Sequence, residues 1–192
     1  LLRAKLEELS SIGVEVRIRK NRMIIVLPGD MVFDTNKDKL RKDGRAALKA
    51  IADVLKSDPT LSTRDFQVTG HTDSKALKGG PFGDNLGLSL ARARTVMAFL
   101  TDPKEGGLAK EHWSAAGYGD TDPIASNEDD DGRKKNRRCE LVVMPSVSEI
   151  LDLQRLALEP KPSLPIKATD KPPAPAKARE KQPVPKVAPT SP

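Results

Sequence analysis

Two charged side chains stand out by type and setting. Gly70-His71-Thr72-Asp73 closes a short apolar run, and Leu88-Ser89-Leu90-Ala91-Arg92-Ala93-Arg94 begins a helical one. The first offers a carboxylate at a strand end, the second a guanidinium near a helix start. Asn136-Arg137-Arg138 adds two cations just ahead of the last apolar run. A fixed negative and a fixed positive charge held in one place suit a zwitterionic ligand better than a reaction. Charge-assisted hydrogen bonds are shorter and stronger than neutral ones, and an arginine can grip a carboxylate bidentately. Free N–H groups at the helix start, expected about one turn before Arg92, also favour anions.

Other chemistries fit less well. His71, Asp73 and Ser89 are the residue types of a nucleophilic triad, but Ser89 does not lie in a nucleophile-elbow motif. His71 and Asp73 are two apart, so on a strand they share a face and could hydrogen-bond, an arrangement suited to orienting a binding carboxylate. The glycines Gly79, Gly80 and Gly83 lack the Lys-Ser/Thr ending of a phosphate loop. The run Asp129-Asp130-Asp131-Gly132 lacks the spaced ligands and distal Glu of a calcium loop. Two histidines and one cysteine do not make a metal site of ordinary spacing. No metal, no cofactor and no catalysis are expected. Each residue also has a plain structural role open to it. Asp73 could cap a turn, Arg92 could be a surface cation, and Asn85 and Ser89 could start a helix. Arg137 and Arg138 suit bracing the fold against a loop carboxylate.

The elements that must position these groups follow from periodicity. Val14–Arg19 alternates apolar and polar, Lys20-Asn21-Arg22 turns, and Met23–Leu27 is a buried-type strand, together a hairpin. Pro28-Gly29-Asp30 breaks it. Residues 36–56 read as a helix with Leu40, Ala47, Leu48, Ile51, Ala52 and Leu55 on one face, ended by Asp58-Pro59. Phe66–Gly70 is a strand, 74–84 a loop, Leu88–Leu100 a helix, and Trp113–Tyr118 an extended piece. Polar residues 127–135 read as an exposed loop, and Cys139–Met144 as the final strand. The fold class is α/β: a two-layer sandwich on one small mixed sheet. A lead-in helix over residues 1–12 precedes the domain at 13–145. A C-terminal helix over 146–159 begins with Ser146 and Glu149 in capping-box spacing.

Charge distribution argues against nucleic acid. The formal charge is +6, but residues 160–192 carry seven cations and two anions, which leaves only +1 for residues 1–159. That tail also holds ten of the sixteen prolines and is expected to be a disordered tether. No apolar run reaches the roughly 20 residues of a membrane helix. A chain beginning at Leu1 reads as a piece of a longer parent.

The ordered elements Val32-Phe33-Asp34-Thr35-Asn36, Gly70-His71-Thr72-Asp73, Asn85, Leu88-Ser89, Arg92-Ala93, Gly117-Tyr118-Gly119, Pro123-Ile124-Ala125, Asn127, Gly132-Arg133 and Asn136-Arg137-Arg138 resemble the OmpA/MotB C-terminal domain family. The resemblance covers about Val14 to Met144. It implies an OmpA-like sandwich with helices on one sheet face, and non-catalytic binding of the peptide stem of peptidoglycan at its diaminopimelate. By the same resemblance Asp73 holds the ligand's ammonium and Arg92 its carboxylate. Phe33, Asp34 and Asn36 line the pocket beside Thr72, Asn85 and Leu88 shape its other wall, and His71, Arg137 and Arg138 support it. The parent is then a membrane-associated envelope protein facing the periplasm of a Gram-negative bacterium, with a homodimer left open. The 12 positions from Asp73 to Asn85 resemble the motor-protein branch, which makes a flagellar-type stator subunit the alternative. A cell-wall hydrolase is the reading from another class.

Overall fold

A computed structural model describes residues 13–146 of the 192. The lead-in helix over 1–12, all of the C-terminal helix beyond Ser146, and the proline-rich tail lie outside the described residues.

The alternating run and the apolar run become β1 (Glu15–Arg19) and β2 (Arg22–Pro28), paired antiparallel with Ile18 opposite Met23. Lys20 and Asn21 both take positive φ, 51° and 59°, the backbone of a tight turn whose twist matches the paired strands. Gly29–Val32 forms a single helical turn, α1, directly after β2.

The first long helix, α2 (Lys42–Ser57), buries Ala47, Leu48, Ile51, Ala52 and Leu55 on one face, as the periodicity predicts. It starts six residues later than expected. Asn36 sits at φ 55°, Phe33 pairs with Leu40 in a β-bridge, and the Arg41 amide donates to the Val32 carbonyl at 2.9 Å. Residues 34–39 are therefore a closed loop, and a left-handed Asn cannot continue a right-handed helix. Asp58 ends α2 and caps the short α3 (Pro59–Ser62), accepting from the Thr60 and Leu61 amides.

After β3 (Phe66–His71) comes the loop over 74–84, then α4 (Asn85–Thr101), β4 (Trp113–Gly117), α5 (Asp130–Asn136) and β5 (Arg138–Val143). The sheet order is β1-β2-β5-β3-β4, antiparallel except for the β3–β4 pair. The α5 helix corrects the loop expected at 127–135. Its composition is polar throughout, so no apolar period marks it, yet the Asp129 carboxylate accepts the Gly132 amide at 2.6 Å as a cap.

Ile25, Leu27, Phe66, Val68, Cys139, Leu141 and Val143 face α2 and α4 and form the main core with them. This is the two-layer, mixed-sheet arrangement expected from the sequence. At Gly70 a Cβ would stand 2.0 Å from the Ser89 carbonyl, and at Gly117 one would stand 2.8 Å from Leu90. The first half of α4 thus lies against the bare backbone of β3 and β4. The opposite sheet face carries a small apolar group, Ile24, Val26 and Val142, beside buried polar residues.

Candidate functional site

Strand register explains how the charged residues meet. Arg138, the first residue of β5, pairs with Pro28 on one side and His71 on the other. Arg137 therefore sits where β2 and β3 both run off the sheet. Two residues beyond Pro28 is Asp30, and two beyond His71 is Asp73. The Gly29 amide donates to the Arg137 carbonyl at 2.8 Å and fixes the junction.

Arg137 joins both acids. Its Nε and Nη2 donate to the two Asp30 oxygens at 3.1 and 2.8 Å, and its Nη1 donates to Asp73 Oδ2 at 2.7 Å. The other Asp73 oxygen accepts the Lys75 amide at 3.0 Å. The Arg137 hydrogen bond holds the Asp30 carboxyl below its usual range, and the same contact raises Arg137 further above its ordinary value.

Arg92 is held differently. It lies two turns into α4, not one, because the helix begins at Asn85 with Asp84 as its cap. Its Nε donates to the Lys37 carbonyl at 2.8 Å and its Nη2 to the Asp34 carbonyl at 3.0 Å. The guanidinium lies 5.1 Å over the Phe33 ring. It is 6% exposed, and burial pulls its pKa below the ordinary arginine value. Among the described residues no carboxylate lies within ion-pair distance of it.

A cavity of about 410 Å³ separates the two charged groups, lined by Asp30, Thr35, Asn36, Thr72, Asp73, Lys75, Ala76, Leu77, Asn85, Leu88, Arg92, Asp130 and Arg137. Of the residues expected from the sequence, Asn36, Thr72, Asp73, Asn85, Leu88 and Arg92 line it, joined by Arg137. Phe33 and Asp34 do not. Phe33 is buried beneath Arg92, while the Asp34 side chain faces solvent beside Lys37 and Arg41 and only its carbonyl serves the site. Asn85 clasps the loop: its Oδ1 accepts the Leu77 amide at 3.1 Å, and its Nδ2 donates to the Asp73 and Lys75 carbonyls. The fully buried Asn136 accepts from the Ile124 and Ala125 amides and donates to Asn127, whose Oδ1 in turn accepts the Ser74 amide.

His71 and Arg138 stand elsewhere. β3 ends at His71, so the ring does not share a face with Asp73. It lies on the far side of the sheet, with Nε2 3.1 Å from the Thr69 hydroxyl and the ring stacked on Tyr118. Arg138 is buried there too, donating to Glu140 at 2.6 Å. Both brace the sheet rather than the cleft. Ser89 donates to the Leu86 carbonyl at 2.8 Å and accepts the Gly119 amide at 2.9 Å, so it ties α4 to the loop after β4.

Asp30, Lys75 and Asp130 line the cleft without belonging to any of the motifs above. Asp30 sits in a strand-breaking Pro-Gly-Asp, and Asp130 in an acidic run with no metal spacing. No signal in the chain marks either as a cleft residue; the β2–β5 register places Asp30, and the α5 helix places Asp130.

The OmpA family model matches residues 32–137, more than half of the chain and every cleft residue named above except Asp30. The chain belongs to the OmpA family. Within that family it is 34% identical over 133 residues to Motility protein B of Bacillus subtilis, covering 69% of this chain and 49% of that protein. It is 37% identical over 120 residues to the peptidoglycan-binding protein ArfA of Mycobacterium tuberculosis, covering 62% and 33%. The cell wall anchor of the T6SS from Pseudomonas aeruginosa shares this OmpA-family fold with a TM-score of 0.63 and 28% identity, over 76% of this chain and 98% of that one. The chain thus spans about half the length of Motility protein B and a third of ArfA.

Proposed function

We propose that this domain binds the peptide stem of peptidoglycan without catalysis, through a diaminopimelate residue, and so anchors an envelope protein to the cell wall from its periplasmic side. The charge pattern of the cleft carries the reading. Asp30 and Asp73 share one guanidinium, so that group holds one surplus negative charge. Arg92 is a buried positive charge with no carboxylate beside it among the described residues. At the rim Lys75 lies 3.8 Å from Asp130, an acid that Arg133 also holds. The cleft is complementary to a free ammonium and a free carboxylate on one ligand, as at the unlinked end of diaminopimelate. Burying a charge without its counter-ion is costly, and a zwitterion relieves both ends at once. The names of ArfA and the cell wall anchor support the same reading, as does the engagement of Ser89 and His71 in separate structural hydrogen bonds.

Co-sedimentation with purified sacculi tests the proposal. Retention of the wild-type protein and release of both Asp73→Ala and Arg92→Ala are expected. Equal retention of all three would remove the site assignment, and release of peptide or sugar fragments during the assay would favour the hydrolase reading.

A stator-subunit parent is the second reading, favoured by the match to Motility protein B over 133 residues. Sequencing the parent gene upstream of Leu1 tests it: a membrane helix carrying an acidic residue is expected, and a β-barrel or lipoprotein leader would refute it.

A further inference from the structure

We propose that Asp30 sets the affinity of the cleft for the ligand's amine, and that it does so through Arg137 rather than by contact. The inference rests on the amino-acid clamp proposed above. It follows from how one cation is divided between two anions. Arg137 gives Asp30 two bonds and Asp73 one. A two-point fork fixes a guanidinium better than a single bond does, so Asp30 is the anchor, and the Asp73 contact, though the shortest at 2.7 Å, is the single bond an ammonium can replace. Asp30 is also the more open acid, with its side chain 44% exposed against 9% for Asp73. The buried acid is thus left with part of a positive charge, and an incoming ammonium supplies the rest.

Without the Asp30 charge, Arg137 and Asp73 become a one-to-one pair. That pair is neutral, and an ammonium arriving at Asp73 would have to compete with an undivided guanidinium. Asp30 is therefore a positioning residue. Its substitution should weaken amine recognition specifically and leave recognition of the carboxylate by Arg92 alone.

The test is calorimetric titration with a synthetic L-Ala-γ-D-Glu-diaminopimelate tripeptide. Both ligands are acetylated at the alanine N-terminus, and the comparison ligand carries 2-aminopimelate in place of diaminopimelate, keeping its carboxylates and lacking its free amine. Asp30→Asn is expected to bind the tripeptide about tenfold more weakly than wild type, and the amine-less analogue within twofold of wild type. In an Arg137→Gln background the further change Asp30→Asn should alter tripeptide affinity by less than twofold, because the residue through which it acts is gone. An Asp30→Asn affinity within twofold of wild type overturns the inference. So does an equal loss for both ligands, or a tenfold loss that persists in the Arg137→Gln background, which would mean direct contact. If Arg137→Gln does not fold, the side-chain NMR signals of Arg137 in the wild type decide: they should move on adding the tripeptide and stay fixed with the analogue, and the reverse overturns the inference. A wild-type protein that binds neither ligand overturns the proposed function itself, a result distinct from wild-type binding that Asp30→Asn leaves unchanged.

Discussion

Replacing Arg92 by methionine should separate binding from stability. The guanidinium makes two hydrogen bonds to backbone carbonyls, at 2.8 and 3.0 Å, and lies over Phe33. Charged hydrogen bonds contribute about 1.5–3 kcal/mol each, so their loss alone would cost some 3–6 kcal/mol. Against this stands the desolvation of a 6% exposed cation that has no carboxylate partner among the described residues, a cost of several kcal/mol. Asp34 and Lys37 are both exposed, so their carbonyls can turn to water. Methionine matches the length of the arginine stem and makes favourable contact with an aromatic ring. The terms nearly cancel, and Arg92→Met should unfold in urea within about 1.5 kcal/mol of wild type. Binding has no such compensation. Removing the proposed carboxylate receptor should cost about 3 kcal/mol, or ~150-fold in Kd for the diaminopimelate tripeptide. Urea titration and calorimetry on the same preparations measure the two quantities. A variant destabilised by more than about 4 kcal/mol that still binds within about fivefold of wild type would refute the reasoning, because Arg92 would then be a structural arginine.

Gly70→Ala should destabilise the domain by about 3 kcal/mol, since the new Cβ would meet the Ser89 carbonyl at 2.0 Å and neither backbone can give way easily. A calorimetric scan should show Tm lower by ~10 °C, and an unchanged Tm would mean that α4 does not rest on β3 so closely. Acid stability should depend on His71. Burial pushes its pKa down to about 3, so the unfolded chain takes up a proton near pH 6.5 that the folded one refuses. Stability from this group is complete above pH 6.5 and falls by about 1.4 kcal/mol per pH unit as pH drops toward 3. Denaturant titrations of wild type and His71→Gln between pH 7 and 4 should show the variant losing that slope, and parallel curves would show that His71 is not its source.

Most of the architecture was legible because it is written in period. The hairpin, the buried face of α2 and the strands β3 and β5 all follow from apolar spacing, and the charged ends Asp73 and Arg92 were marked by motif. Four things were not legible. The start of α2 is hidden because residues 36–41 contain good helix formers, while the left-handed Asn36 and the Phe33–Leu40 bridge are tertiary facts. The α5 helix was missed because it is stabilised by a cap and by Arg133 bonding to the Asn127 and Glu128 carbonyls, not by an apolar face. Strand alternation puts His71 on the face of Asp73 only if it continues past the end of β3, where the chain leaves the sheet. Asp30 is the clearest case. Its partner lies 107 positions away, and only the pairing of β2 with β5 brings them together.

The central claim is that one zwitterion spans the cleft between Asp73 and Arg92. A crystal structure of the domain with the diaminopimelate tripeptide tests it most directly. The free ammonium should lie within hydrogen-bond distance of the Asp73 carboxylate and the free carboxylate within reach of the Arg92 guanidinium, with Arg137 still forked onto Asp30. A tripeptide bound outside this cleft, or bound in it with neither terminal charge meeting Asp73 or Arg92, would contradict the account.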